Sequence, residues 1–207
     1  MTFHNRTEEL SFLTEQARDD RAALVVVYGR RRTGKTALLR HFAKDRRSVL
    51  FVADAASRTD QLASFAQVAF QALGEPGLEG TTFPSWEAAL HFVASRATRK
   101  PLFVVLEEFP YLCTADTSLP SVLQRLWDAE LHKTRLHLVL CGSYVSFMER
   151  DVLGAKNPLY GRRTGEYLLT PLRFRDARLF FHHRTPVDQV TAYGILGGIP
   201  AYLERFE

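Results

Sequence analysis

The sequence predicts an α/β fold: a parallel sheet of five strands with helices on both faces, followed by a short helical segment. Three observations predict it. Short continuous apolar runs at 22–28, 48–53, 102–106 and 136–141 read as strands buried on both faces. Stretches with apolar residues at helical spacing separate them. Between the first run and its helix stands GRRRTGKT, from Gly29 to Thr36, which has the spacing G-x-x-x-x-G-K-T. Strands alternating with helices imply right-handed crossovers and a doubly wound sheet.

Residues 5–18 read as a helix with Leu10, Leu13 and Ala17 on one face, and Thr7, Glu8 and Glu9 mark its start. After the strand at 22–28, a helix over 34–44 carries Ala37, Leu38, Leu39 and Phe42. A strand at 48–53 leads to a helix over 59–73, ended by Gly74, with Leu62, Phe65, Ala66, Ala69 and Phe70 inward. The stretch GEPGLEGTTFP is a loop, and Ser85 caps a helix running to about residue 97. A strand at 102–106, a helix at 120–131 and a strand at 136–141 follow. Beyond Ser143 come a short helix, a loop over 154–166, a fifth strand at 167–169 and short helices from Pro171. Residues 1–170 therefore read as the core, and 171–207 as the start of a helical lid. The helical pattern runs to the last residue, so the segment either continues in a larger protein or ends as a frayed helix.

The 207 residues, 46% hydrophobic and 24% charged, suffice for one well-cored domain with an appendage. No apolar run approaches the roughly 18 residues that a membrane span needs, and the N-terminus lacks the pattern of a secretion signal. Cys113 and Cys141 form no C-x-x-C pair and read as reduced thiols of a cytoplasmic protein, without a metal framework. His182 and His183 are adjacent and would point to different faces, which is poor metal geometry. Trp86 and Trp127 lie on apolar helix faces and read as core. The net charge of +4 suits a polyphosphate ligand, but the basic residues are scattered rather than blocked, so charge alone gives little ground for nucleic-acid binding.

The chemistry of 29–36 explains its residue types. Gly29 and Gly34 let the backbone wrap without Cβ clashes. The N–H groups of Thr33, Gly34, Lys35, Thr36 and Ala37 then face a common point at the positive end of a helix, where an anion satisfies them. Lys35 would reach the β- and γ-phosphates of a nucleotide, and the Thr36 hydroxyl would sit on Mg²⁺. Of the three arginines between the glycines, Arg32 is the one expected to touch ligand, with Arg30 and Arg31 solvated. The run LFVVLEEFPYL places Glu107 and Glu108 at the carboxyl end of a strand, where parallel sheets bind ligands. Glu107 would hold the metal's water shell, and Glu108 would orient and deprotonate an attacking water.

With these motifs the chain resembles the P-loop ATPases common in archaea and bacteria, within the AAA+-like STAND group. The resemblance spans nearly the whole sequence, through FHNRTEEL, YGRRRTGKTALL, LFVVLEEFPYL, LVLCGSYVSFMERDVLGAKNPLYGRRTGEYLLTPL and YGILGGIPAYL. It implies a sheet of order 5-1-4-3-2, ATP and Mg²⁺ as cofactors, Glu108 as catalytic glutamate and Ser143 as a polar sensor of the γ-phosphate. It also implies that Arg162 or Arg163 neutralises γ-phosphate charge in the same subunit or a neighbour. By the same resemblance Pro200 packs near the adenine, and the segment from Phe3 to Arg6 flanks the base. The chain departs from the family pattern twice. Glu107 stands where aspartate is usual, which predicts slower hydrolysis, and Asn5 stands where glycine is usual, in a turn that asparagine tolerates. The family commonly continues into a winged helix and a further domain, through which a nucleic-acid partner would enter; a protein partner or self-association is the other expectation. The residues leave three rivals open: an ATP-dependent switch or scaffold that does not turn over, a small-molecule kinase, and a DNA-acting motor.

Overall fold

The computed structural model describes residues 4–18 and 21–205. Phe3, expected to flank the base, lies outside the described residues. The elements are α1 (Thr7–Gln16), β1 (Ala23–Tyr28), α2 (Lys35–Ala43), β2 (Ser48–Val52), α3 (Arg58–Leu73), α4 (Trp86–Arg96), β3 (Leu102–Glu107), α5 (Phe109–Ala115), α6 (Leu119–Ala129), β4 (Leu136–Gly142), α7 (Val145–Phe147), β5 (Gly165–Leu168), α8 (Phe174–Ala177), α9 (Pro186–Leu196) and α10 (Pro200–Leu203). α7 continues as a π-helical turn over Met148–Val152.

The strands form one parallel sheet of order β2-β3-β4-β1-β5, which is the expected 5-1-4-3-2. Why the runs are continuously apolar is visible in the packing. Leu24, Val26, Leu102, Val104, Leu106, Leu138 and Leu140 join one core with residues of α3, α4, α5 and α6. Their neighbours in sequence, Val25, Val27, Phe103, Val105 and Val139, join the other with α1 and α2. Side chains alternate across a strand, so a strand covered on both faces needs every position apolar. Phe51, Phe65, Trp86, Phe70, Phe83 and Phe92 form a connected aromatic group in the first core, and Trp127 is also buried there. Ser85 caps α4 as expected, accepting from the Ala88 N–H at 3.2 Å.

Three local expectations are corrected. α1 begins at Thr7, not Asn5, because Asn5 (φ 54°) and Arg6 (φ 71°) are left-handed and cannot lie in a right-handed helix. The asparagine does hold the turn where glycine is usual. β5 begins at Gly165 rather than 167, paired with Val25 of β1. α5 was not expected: Glu108 at φ 53° breaks β3, and Pro110 in the first turn starts a helix of seven residues. Beyond β5, Leu172, Ala177, Phe181, Ala192 and Leu203 close a small core of their own. Among the described residues no helix is long and apolar enough to cross a membrane.

Candidate active site

The carboxyl ends of β1, β3 and β4 open onto a cavity of about 660 Å³. The loop after β1 shapes its floor. Gly29 stands at φ 154° with its N–H donating to the Gly142 carbonyl at 3.3 Å, which ties the loop to the end of β4. A Cβ at Gly29 would come within 2.3 Å of the Leu169 carbonyl oxygen, so only glycine fits there. Arg32 (φ 67°) and Gly34 (φ 95°) turn the chain into α2. Gly34 caps α2 without a side chain, which leaves the first-turn N–H groups of the helix facing the cavity. Lys35 bends back, donating to the Gly29 and Arg30 carbonyls at 2.8 and 2.9 Å. Burial lowers its ammonium pKa from the ordinary lysine value, since a charge is harder to hold away from water.

Gly34, Lys35, Thr36, Ala37, Arg32, Glu108, Ser143 and Pro200 all line the cavity, so the fold brings together residues drawn from most of the chain. Thr33 is fully buried behind the loop, its hydroxyl on the Arg30 carbonyl at 2.8 Å. Glu107 is buried and its carboxylate accepts from the Thr36 hydroxyl. Burial raises the Glu107 pKa, partly offset by that hydrogen bond. The left-handed turn at Glu108 swings the second carboxylate the other way, onto Ser143, whose hydroxyl donates at 2.8 Å and whose N–H lies at 3.3 Å.

Arg162 and Arg163 are not brought to this cavity. Arg162 forms an ion pair with Asp128 at 2.7 Å, and Arg163 lies 3.5 Å from Glu166 with its guanidinium against the Tyr160 ring. The loop after α7 carries them away along the sheet, so neither meets a ligand bound in this cavity of the same chain. In their place are cations that the sequence did not single out. Arg31, Arg40 and Lys44 join Arg32 and Lys35 around the cavity, and among the described residues none of these forms an ion pair with a carboxylate. Five cations without a close ion pair, facing among the described residues only Glu107, Glu108 and Glu204 and standing beside an uncapped helix N-terminus, fit a polyphosphate. His4, Leu172 and Phe180 form a more apolar wall, with the His4 and Phe180 rings 4.6 Å apart.

Arg6 is the main structural residue of the site. It is buried, donates to the Thr33 carbonyl at 2.7 Å and the Thr170 carbonyl at 2.9 Å, and pairs with Glu9 at 2.7 Å. It thereby fastens the N-terminal segment to the phosphate loop and to the chain leaving β5. Asn5 donates to Asp176 of α8, and Arg32 lies 5.6 Å from the centre of the Tyr202 ring, so the C-terminal helices are joined to the same loop. Among the described residues no group of three or more His, Cys, Asp or Glu stands together to hold a metal ion by itself. Thr36 and Glu107, which touch, would hold a divalent ion only with oxygens supplied by the ligand.

Comparison with known proteins agrees with this architecture. Residues 3–206 match the family model described as an ATPase domain predominantly from Archaea. An uncharacterised protein of Methanocaldococcus jannaschii, MJECL04, is 34% identical over 203 residues; the match covers 98% of this chain but 44% of that protein. A second protein of that organism, the uncharacterised ATP-binding protein MJ0423, is 44% identical over 45 residues, 22% of this chain and 76% of its own length. Among solved structures, the Walker-type ATPase PABY2304 of Pyrococcus abyssi superposes with a TM-score of 0.73 at 22% identity, over 97% of this chain and 65% of that one. The ORC1 protein of Aeropyrum pernix, solved with DNA, gives 0.63 at 18% identity, over 98% and 58%. The chain thus spans less than two thirds of MJECL04, PABY2304 and ORC1, and the solved structures establish the fold.

Proposed function

The chain belongs to the family of ATPase domains found predominantly in Archaea, and from that premise we propose that it binds ATP with Mg²⁺ in the cavity and hydrolyses it, coupling the nucleotide to movement of residues 171–207. The observation that carries this reading is the set of unpaired cations around the uncapped start of α2. The triphosphate lies along Gly34, Lys35, Thr36 and Ala37, with the base toward His4, Phe180 and Pro200. Thr36, with Glu107 on its hydroxyl, would hold Mg²⁺ together with the phosphates, and the ion would supply neutralisation of phosphate charge. Glu108 orients and accepts a proton from the attacking water once its carboxylate is released by Ser143, whose hydroxyl holds it in this structure. Arg6 and Arg32 connect the loop to the N-terminal and C-terminal segments, so a change in the loop is passed to both.

The test is calorimetry and thermal melting with MgATP and MgADP. Wild-type protein binds both and melts higher; Lys35→Ala loses most of the shift. Normal ATP binding by folded Lys35→Ala overturns the proposal. Phosphate release, lost in Glu108→Gln, separates turnover from binding. The switch reading has one observation in its favour: Glu108 is already occupied by Ser143, so turnover requires that contact to loosen. Binding without phosphate release from wild-type protein would select it.

A further inference from the structure

The ATPase reading needs a cation on the transferring phosphoryl group, and Arg162 and Arg163, the residues expected to supply it, point elsewhere. We propose that Arg31 is that catalytic residue, supplied by the phosphate loop of the same chain. The proposal rests on the ATP-binding reading and names the group that acts at its reactive end.

Geometry distinguishes Arg31 from its two neighbours. Arg30 does not line the cavity, and its carbonyl is taken by Lys35 and Thr33. Arg32 lines it but turns toward Tyr202 in α10. Arg31 lines the cavity, as do Lys35, Thr36, Glu108 and Ser143, the residues that the ATP-binding reading puts at the terminal phosphate. It has no carboxylate partner among the described residues, and its guanidinium lies 3.3 Å from the Tyr111 hydroxyl. Tyr111 belongs to the first turn of α5, where its N–H donates to the Glu108 carbonyl at 2.9 Å. One short turn therefore positions both the base, Glu108, and the phenol that holds Arg31. The Arg31 charge is also close enough to contribute to lowering the Lys35 pKa.

The chemistry explains what the guanidinium does there. The water oxygen forms a bond to the γ-phosphorus as the bond from that phosphorus to the β,γ-bridging oxygen breaks. The bonding pair stays on the ADP oxygen, and a water proton passes to Glu108. Negative charge moves toward the bridging oxygen during this step. A planar, permanently charged guanidinium can donate to a γ-oxygen and the bridge together, and it binds the transition state more strongly than the ground state.

Single-turnover hydrolysis, ADP calorimetry and trapping of ADP with aluminium fluoride test the assignment in wild type, Arg31→Ala, Arg31→Lys and Tyr111→Phe. Arg31→Ala is expected to lose roughly 10³-fold in the chemical step, the lower end for an arginine in this role. It should keep wild-type ADP affinity and fail to trap aluminium fluoride. Arg31→Lys should recover part of the rate, and Tyr111→Phe should lose a few-fold, on the order of one weak hydrogen bond. Wild-type turnover or trapping by Arg31→Ala overturns the proposal. So does an equal loss of ADP affinity, which would make Arg31 a general phosphate contact. Wild-type protein that binds MgATP without turnover overturns the Arg31 assignment and leaves the binding reading standing; absence of binding overturns both.

Discussion

Replacing Arg6 with alanine removes three contacts together: the hydrogen bonds to the Thr33 and Thr170 carbonyls and the ion pair with Glu9. Arg6 is 7% exposed and the Glu9 side chain 12%, and Thr33 is buried, so the Thr33 carbonyl and the Glu9 carboxylate are left poorly hydrated, whereas Thr170 is exposed and water can reach it. Each buried acceptor left unpaired costs about 1–3 kcal/mol, and losing one partner of a buried ion pair costs about 3–5 kcal/mol. These do not add in full, because Arg6 borders the cavity and water can follow it out. The expected loss is about 3–5 kcal/mol, or roughly 6–20 °C in Tm for a chain of this size. Alanine keeps a Cβ at the left-handed φ of 71°, so backbone strain is the same in both proteins and the difference reads the side chain. Glycine would relieve that strain and hide part of the effect. Urea unfolding followed by fluorescence and by circular dichroism, with coincident transitions, gives the number. Glu9→Gln should lose only about 1 kcal/mol, since the two carbonyl contacts remain. A loss below about 1 kcal/mol in Arg6→Ala would refute the claim that this residue fastens three segments together. So would a loss from Glu9→Gln as large as that from Arg6→Ala.

Gly29→Ala puts a methyl group 2.3 Å from the Leu169 carbonyl oxygen, and we expect a loss of about 3 kcal/mol or more with β5 displaced; an unchanged melting temperature would contradict the geometry. Burial pushes the Cys113 thiol up from 9.0 to about 12 and raises Cys141 as well, so at pH 8 an aromatic disulfide reagent should label neither in the native protein and both after unfolding. The same shifts have a sign in stability. An acid whose folded pKa is raised keeps its proton after the unfolded chain has lost it, so stability falls as pH rises from about 9 toward 12. Lys35 acts oppositely: its folded pKa is lowered, the unfolded chain holds the proton longer, and stability rises as pH climbs toward 10.5. Two thiols outweigh one lysine, so unfolding free energies measured from pH 8 to 11 should fall once the pH passes about 9 to 10; a rise sustained to pH 11 would contradict the burial of the thiols.

Much of the site was legible because its parts are contiguous in the chain. A strand, GRRRTGKT and a helix need only local geometry to make an anion cradle, and the two carboxylates announce themselves at the end of an apolar run. Other parts were hidden for stated reasons. α5 has seven residues, includes a proline and follows directly on β3, so its sequence reads as more strand. The direction of the cations was hidden because it is not local: Arg162 and Arg31 read alike in the sequence, and only the packed chain shows Asp128 beside one and Tyr111 beside the other. Nothing in the spacing of Arg6 shows that its guanidinium reaches Thr33 and Thr170, because those partners are 27 and 164 residues away.

By itself, the sequence determined the layers of the fold and the phosphate loop, since strand burial, helix periodicity and glycine-permitted turns are set by neighbours along the chain. Only the tertiary structure decided which charges face the cavity, how the carboxylates of Glu107 and Glu108 diverge, and that the two ends of the chain meet on the loop. The reason is physical: a long charged side chain has many rotamers of similar energy, and its partner is chosen by whatever the packed backbone brings within reach.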